Sequence, residues 1–387
     1  MDKNQIFADD SEYVSGTYAR FKVAFKEGRG AKLYDFDGKE YIDCASGIGV
    51  NIFGVNDVVW KEAVKAQLDS VQHVCNLYYS QPQAELAKAL CQKTGASKVF
   101  FGNSGAEANE CAIKAARKYG NTRYGDRNEI ITLKNSFHGR TLATITATGQ
   151  DAFHKYFQPF VEGFKYADPD MSGIFHCYTE KTCAVMVEVI QGESGVNVLS
   201  FDFLRELEKF CKERDILLIC DEVQSGNGRT GYLYAYEAAG IHPDIVTTAK
   251  GLGGGLPIGA CMFFGKCAGV FGAGDHGTTF GGNPVACAGA LTIVDRLTPS
   301  LLLEVQGKGA YLKSNLGHIK NVTGVSGMGL MIGISTTKEA RDIAQRCLDK
   351  GLVVLTAHGK IRLLPPLTIT KDEMNTALRI LNEVISE

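Results

Sequence analysis

Ile245-Val-Thr-Thr-Ala-Lys250-Gly-Leu-Gly-Gly-Gly-Leu-Pro-Ile-Gly259 reads as a short strand that runs out into a glycine-rich turn. Ile245–Thr248 are all β-branched and end at turn residues, the pattern of a buried strand. The strand delivers one lysine, Lys250, into a turn whose glycines can take positive φ and let a bulky planar group approach the backbone closely. An amine held against apolar surroundings loses part of its preference for the charged form, as a nucleophilic lysine must. A solvated lysine beside a flexible loop explains the same stretch. What decides between the two lies elsewhere in the chain.

Outward from this strand, roughly residues 97 to 264 alternate short apolar runs with helices. The runs are Lys98–Phe101, Glu129–Thr132, Cys183–Val189, Ile216–Cys220, Ile245–Thr248 and Gly259–Phe264. Between two of them, Asp202–Arg214 reads as a helix capped by Ser200, with Leu204, Leu207 and Cys211 on one face. Such alternation predicts an α/β fold with a mostly parallel sheet covered by helices on both sides. Ligands of such sheets bind beyond the carboxyl ends of the strands.

The flanks differ. Residues 1–55 look β-rich, with two alternating runs around Asp37-Gly38 that predict a hairpin. Helices are expected over Lys61–Val74 and, behind a capping box Ser80-Gln-Pro-Gln83, up to Gly95. In the tail, Thr336-Thr-Lys-Glu339 and Thr370-Lys-Asp-Glu373 predict two capped helices around strands Leu352–Thr356 and Lys360–Leu364. The expected division is an N-terminal segment, 1–55, belonging to a small domain; a large domain, 56–284; and a small α+β domain, 285–387.

Composition excludes several classes. With 45% hydrophobic and 22% charged residues in 387, the chain can bury a substantial core. A net charge of −2 offers no general attraction to nucleic acid or anionic membrane. No apolar run approaches the length of a bilayer span, and the first ten residues lack a basic start and an apolar centre. The twelve cysteines form no Cys-x-x-Cys pair; Cys111, Cys183, Cys220 and Cys287 sit in apolar context, as buried reduced thiols of a cytoplasmic protein would. The eight histidines show no His-Glu-x-x-His spacing, and no metal site is expected.

The residues after each strand carry the chemistry. Gly102-Asn-Ser-Gly-Ala-Glu-Ala-Asn-Glu110 feeds a glycine-bearing turn into a helix with Ala108, Ala112, Ala115 and Tyr119 on one face. Its free N–H groups suit a phosphate, although an ordinary capped helix reads the same way. In Asn135-Ser-Phe-His-Gly-Arg140, Phe137 could stack on a planar ligand and Arg140 clamp a carboxylate, or the two could be a packing ring and a surface charge. Glu188 and Glu193 bracket the end of another strand. Asp221 ends the wholly apolar Leu217-Leu-Ile-Cys220, a costly place for an acid unless a cation faces it or it caps a turn. Lys250 follows it by 29 residues, one strand–helix–strand step, so both project from the same sheet edge. A Schiff-base lysine with an acid for a pyridinium nitrogen is the protein's side of pyridoxal phosphate chemistry.

Over nearly its whole length the sequence resembles the class III, fold-type I pyridoxal-phosphate aminotransferases. The matching runs are Asn103–Glu110, Ser136–Thr141, Asp221–Gln224, Gly226–Gly231, Thr248–Gly255 and Thr278–Pro284. The resemblance implies that Lys250 carries pyridoxal 5'-phosphate and that Asp221 keeps its ring nitrogen protonated. Gln224 would bond the ring hydroxyl, with Val223 and Phe137 on the two ring faces. Ser104, Gly105 and Ala106 would bind the phosphate, joined by Thr279 from the partner subunit of a homodimer. Arg140 and Thr278 would hold the substrate's carboxylate end. Arg362, in Lys360-Ile-Arg-Leu-Leu-Pro-Pro366, would bind an α-carboxylate and be paired or released by Glu193.

Within the class, Asn76-Leu-Tyr-Tyr-Ser-Gln-Pro-Gln83 and Thr17-Tyr-Ala-Arg-Phe21 lean toward the acetylornithine enzymes of arginine biosynthesis. Two departures stand out: Val189 where the family has proline, and Ser326 where an arginine usually precedes Gly-x-Gly-Leu. The expected reaction is transamination of N-acetylornithine with 2-oxoglutarate, giving N-acetylglutamate semialdehyde and glutamate. Ornithine, succinylornithine, 4-aminobutyrate or lysine as donor is the alternative, and a phosphate-ligand binding module without catalysis is the non-enzymatic one.

Overall fold

The structure is a computed structural model that describes residues 2–387. Its centre is a seven-stranded sheet: β1 (Lys98–Gly102), β2 (Glu129–Leu133), β3 (Phe164–Ala167), β4 (Thr182–Val187), β5 (Leu217–Asp221), β6 (Ile245–Thr248) and β7 (Gly259–Phe263). Across the sheet the order is β1-β7-β6-β5-β4-β2-β3, and only β7 runs against its neighbours.

Because side chains alternate across a strand, an apolar run buried on both faces serves two cores. Leu217 and Ile219 of β5 pack with Ala112, Ala115 and Tyr119 of helix Gly105–Tyr124. Leu218 and Cys220 point the other way, into the core that holds Leu204, Leu207 and Cys211 of helix Phe201–Glu213. Both helix faces are those expected from spacing, and Ser200 Oγ accepts the Phe203 N–H at 3.4 Å as its cap.

The two ends of the chain build a shared lobe. Phe25–Arg29, Lys32–Asp35 and Glu40–Asp43 form an antiparallel sheet with the expected hairpin, Gly38 taking φ 80° in its turn. Leu352–Val353 joins its edge parallel to Glu40–Asp43. A second sheet runs Val322–Met328, Met331–Thr336, Lys360–Leu363, Leu355–Ala357. Helix Pro284–Arg296 packs instead against Val58–Ser70 and Gln81–Thr94. Among the described residues no single helix is long and apolar enough to cross a membrane.

Several local expectations need correction. The helix expected at Lys61–Val74 is Val58–Ser70, because Asp57 caps it through the Trp60 N–H. Ser80 does not cap its helix; Gln83, expected to close that box, donates to Asn76 Oδ1 at 3.0 Å. Thr336 likewise turns to the Lys338 backbone, leaving Glu339 at the helix start without a side-chain cap. The Thr370–Glu373 box forms as expected. Leu352–Thr356 is two strands broken at Val354, Cys183–Val189 ends at Val187, and Phe164–Ala167 and helix Lys3–Tyr13 were not anticipated. That helix buries none of its residues and so has no apolar stripe to betray it.

One polar cluster ties helix Gly105–Tyr124 to the start of β5. Asp215, at φ 47°, accepts from Tyr119 Oη at 2.8 Å, from Lys266 Nζ at 3.0 Å and from Tyr124 Oη, with Arg123 Nε at 3.3 Å. Burial pushes this carboxyl up, but the donations from Tyr124, Lys266 and Tyr119 outweigh it and hold it well below the usual carboxylate range. Asp215→Ala should therefore lower stability by about 1–2 kcal/mol, discounted for its partial exposure. Thermal melting would register this as a fall of roughly 1–3 °C. A depressed native value means the loss is complete above the unfolded carboxylate range, about pH 4, and shrinks as pH falls toward the native value. An unchanged melting temperature at pH 7 would refute the role.

Candidate active site

The carboxyl ends of β1, β2, β4, β5 and β6 open onto one cavity of about 460 Å³. Since β7 is antiparallel, its start lies at the same edge, Gly259 opposite Gly102, and Gly255–Ile258 join the wall. Ser104, Gly105, Ala106, Phe137, Arg140, Asp221, Val223, Gln224 and Lys250 all line this cavity. Residues spread over 147 positions, from 104 to 250, meet there because each follows a strand.

Lys250 stands in the turn after β6 with a left-handed backbone, φ 45°, unusual for a residue with a side chain. Desolvation pulls its amine below the usual lysine range; Glu193, Asp221 and Glu188 oppose this and Arg362 reinforces it. Opposite, Asp221 is fixed by three donors. The Val223 N–H donates to Oδ1 at 3.0 Å, while Asn109 Nδ2 and His138 Nδ1 donate to Oδ2, both at 2.8 Å. Thr247 Oγ1 orients Asn109 from behind, donating to its Oδ1 at 2.6 Å. Asn109 and His138 escaped the sequence reading. The available signal was Asn109 itself, a polar residue beside the buried Ala108 and Ala112.

At the other end of the cavity, Ser104 caps helix Gly105–Tyr124, its Oγ accepting the Glu107 N–H at 3.2 Å. Among the described residues the N–H groups of Gly105 and Ala106 have no partner. They sit at the positive end of a twenty-residue helix, the arrangement that binds phosphate. Gly105 has to be glycine: a Cβ there would lie 2.6 Å from Val223 Cγ1. The phosphate turn and Val223 are thus packed against each other.

Polar groups at the substrate end are already paired. Arg362 Nη1 donates to Glu193 Oε1 at 2.7 Å, to Gln224 Oε1 at 3.0 Å and to Gly192 O at 3.0 Å. Gln224 Nε2 donates to Glu193 Oε1 at 2.9 Å. Burial pushes the Glu193 carboxyl up, and Arg362 with Lys250 more than offsets it, leaving it below the usual range. The valine at 189, fully buried, leaves this pairing intact. Arg140 is exposed at the mouth, its guanidinium 4.3 Å from the Phe153 ring and 5.6 Å from the Phe137 ring, with no carboxylate partner among the described residues. Thr278 stands behind the wall, its Oγ1 accepting from Asn103 Nδ2 at 3.2 Å; Thr279 is exposed and off this cavity. Ser326 lies on strand Val322–Met328, paired with Gly333, away from the cavity. The described residues contain no group of three His, Cys, Asp or Glu placed to hold a metal, and all twelve cysteines are free.

An acid, a lysine and an open phosphate cup arranged in this way suit a flat, phosphorylated, cationic ring. Comparison with known proteins agrees: the family described as aminotransferase class-III matches residues 13–385. The chain belongs to the class-III aminotransferases. Its similar relatives include the acetylornithine aminotransferase of Haemophilus ducreyi, 47% identical over 100% of both chains. That of Aquifex aeolicus is 45% identical over 96% of this chain and all of the relative. Among solved structures, the N-acetylornithine aminotransferase of Stenotrophomonas maltophilia superposes with a TM-score of 0.83 at 33% identity, covering 97% of each chain. The ornithine aminotransferase of Toxoplasma gondii gives 0.94 at 29% identity, over 100% of this chain and 95% of the other. The enzyme's cofactor is pyridoxal 5'-phosphate. The residues present fit it: two unspent N–H groups for the phosphate, a triply held carboxylate for the ring nitrogen, and a desolvated amine.

Proposed function

We propose that the enzyme transfers the δ-amino group of N-acetyl-L-ornithine to 2-oxoglutarate, giving N-acetyl-L-glutamate 5-semialdehyde and L-glutamate, in the cytoplasm and as a step of arginine biosynthesis. The observation that carries this reading is the set Lys250, Asp221 and the Gly105–Ala106 cup in one cavity beside a neutralised Arg362. The curated relatives named for acetylornithine, at 40–47% identity over nearly the full chain, support the donor.

When bound, pyridoxal phosphate supplies an electron sink for charge developing on the amino-bearing carbon. Lys250 Nζ is the amine that would hold the cofactor, and it is placed to take the proton from that carbon as general base and to deliver it as general acid. Desolvation lowers its pKa, in the direction that this task requires. Asp221 would hold the ring nitrogen, Val223 and Phe137 would hold the ring between them, and Gln224 would meet its hydroxyl. Ser104, Gly105 and Ala106 bind the phosphate. Arg140, at the mouth, takes the carboxylate of the acetylated donor, and Thr278 supports that end from behind Asn103. Glu193 keeps Arg362 masked while that donor, whose reacting carbon bears no carboxylate, is present and releases it for the α-carboxylate of 2-oxoglutarate.

The reading includes a homodimer in which Thr279, exposed and off its own cavity, completes the partner's phosphate site. It also includes the division at 55 and 284, although the packing of helix Pro284–Arg296 supports a later boundary near 297. Arg362→Gln is expected to raise KM for 2-oxoglutarate about 10- to 100-fold, since a buried charged contact is lost. KM for acetylornithine should change far less. Equal effects on both would remove the masking role.

Ornithine as donor is the second reading, favoured by the close superposition on the Toxoplasma enzyme. Initial rates with acetylornithine, succinylornithine, ornithine, 4-aminobutyrate and lysine, each against 2-oxoglutarate, separate the two. The largest kcat/KM is expected for acetylornithine; ornithine strongly preferred over its acetylated form would overturn the assignment.

A further inference from the structure

Three acids stand around Lys250, and the reaction as derived uses only two. Asp221 has its three donors, and Glu193 has Arg362 and Gln224. Glu188 follows β4 directly, is 5% exposed, and lines the same cavity. Its one hydrogen bond among the described residues is from the Phe137 N–H to Oε2 at 3.0 Å. The contact is a product of topology: β4 pairs with β2 in parallel, so the residue after one strand meets the loop after the other.

The groups facing Glu188 are Asp221 from the end of β5, Glu193 from the loop after β4, and Lys250 from the turn after β6. A buried carboxylate beside two others, with one N–H and one shared amine for support, is an expensive arrangement. A neutral group of the same shape satisfies the same N–H without that repulsion.

We propose that Glu188 is a positioning residue acting as a neutral hydrogen-bonding group, whose carbonyl oxygen anchors the Phe137 backbone and so sets the Phe137 ring on the cavity wall. Burial, then Asp221 and Glu193, push its carboxyl well above the usual range, against the Phe137 N–H and Lys250. Its hydroxyl is left to donate into the cavity. Beyond this anchor, the aromatic and cationic groups beside the Phe137 ring are the edge of Phe153, at 5.5 Å and 65°, and Arg140. This inference rests on the assignment of Phe137 to a face of the cofactor ring.

The test uses the holoenzyme and two variants, Glu188→Gln and Glu188→Ala. Readouts are the dissociation constant for pyridoxal phosphate, and the pH midpoint at which the bound cofactor's visible absorption changes. Glutamine keeps the acceptor, so both quantities should stay at the wild-type values, with affinity within about twofold. Alanine strands the Phe137 N–H, and affinity should fall about tenfold or more. A carboxylate at 188 would stabilise the protonated form of the chromophore next to Lys250, so its removal in Glu188→Gln would lower the midpoint. A midpoint lowered by about one unit, or an affinity loss in Glu188→Gln equal to that in Glu188→Ala, would overturn the proposal. Unchanged affinity in Glu188→Ala would do so as well. Wild-type protein that fails to link the cofactor at Lys250 would overturn the site assignment itself, a result distinct from any difference between the variants.

Discussion

Replacing Lys250 with alanine is expected to abolish transamination, lowering kcat by at least about 10⁴-fold. Two separate tasks disappear together: the covalent link to the cofactor and the proton transfer at the substrate carbon. Neither has a substitute nearby: no second lysine among the described residues lines the cavity, Arg362 is held by Glu193, His138 is tied to Asp221, and the guanidinium of Arg140 cannot form the link. The fold should survive, because the side chain faces the cavity and the strand before it, Ile245–Thr248, is buried independently. Cofactor should still enter the variant, held by Gly105, Ala106 and Asp221, without a covalent bond. Steady-state rates with acetylornithine and 2-oxoglutarate check the loss, and surviving full activity would refute the role of Lys250.

Asp221→Asn is expected to give the second largest effect, about 10²–10³-fold in kcat/KM, the scale of removing one member of a buried charged pair at 3–4 kcal/mol. An amide preserves volume and can still meet Val223, but it cannot keep a ring nitrogen protonated. It also presents an N–H₂ where Asn109 and His138 now both donate. The change should therefore disturb these two neighbours as well as the cofactor. Cofactor affinity and rate should fall together; a variant within about threefold of wild type would show that the acid serves packing alone.

The part of the fold best forecast from residue pattern is the part where one physical cause dominates. Ile245–Thr248 has the expected boundaries because a β-branched run there ends at turn residues on both sides. Direction is harder: β7 reads as one more apolar strand, and nothing in its alternation says that it runs backwards. Its connection does. Ten residues separate Thr248 from Gly259, too few for the crossover a parallel pair requires. Capping boxes were unreliable for a different reason. Ser80 and Thr336 have the right spacing, but Gln83 and Thr336 find partners closer to hand in the folded chain, Asn76 and the Lys338 backbone.

The site divides in the same way. Lys250, Asp221 and the Gly105–Ala106 turn could be found because each follows a strand, and a sheet edge brings strand ends together whatever their separation in sequence. Asn109 and His138 reach Asp221 across 112 and 83 residues through side-chain geometry, which no local pattern encodes. The triad of Glu193, Gln224 and Arg362 spans the large sheet and the terminal lobe, and only the folded chain places them on one another.

The central claim is that Lys250 holds pyridoxal phosphate. Its most direct test is borohydride reduction of the protein reconstituted with the cofactor, followed by digestion and mass mapping of the peptides. A pyridoxyl adduct is expected on the peptide containing Thr248-Ala-Lys250-Gly, and on no other lysine. An adduct elsewhere, or none at all, would contradict the account.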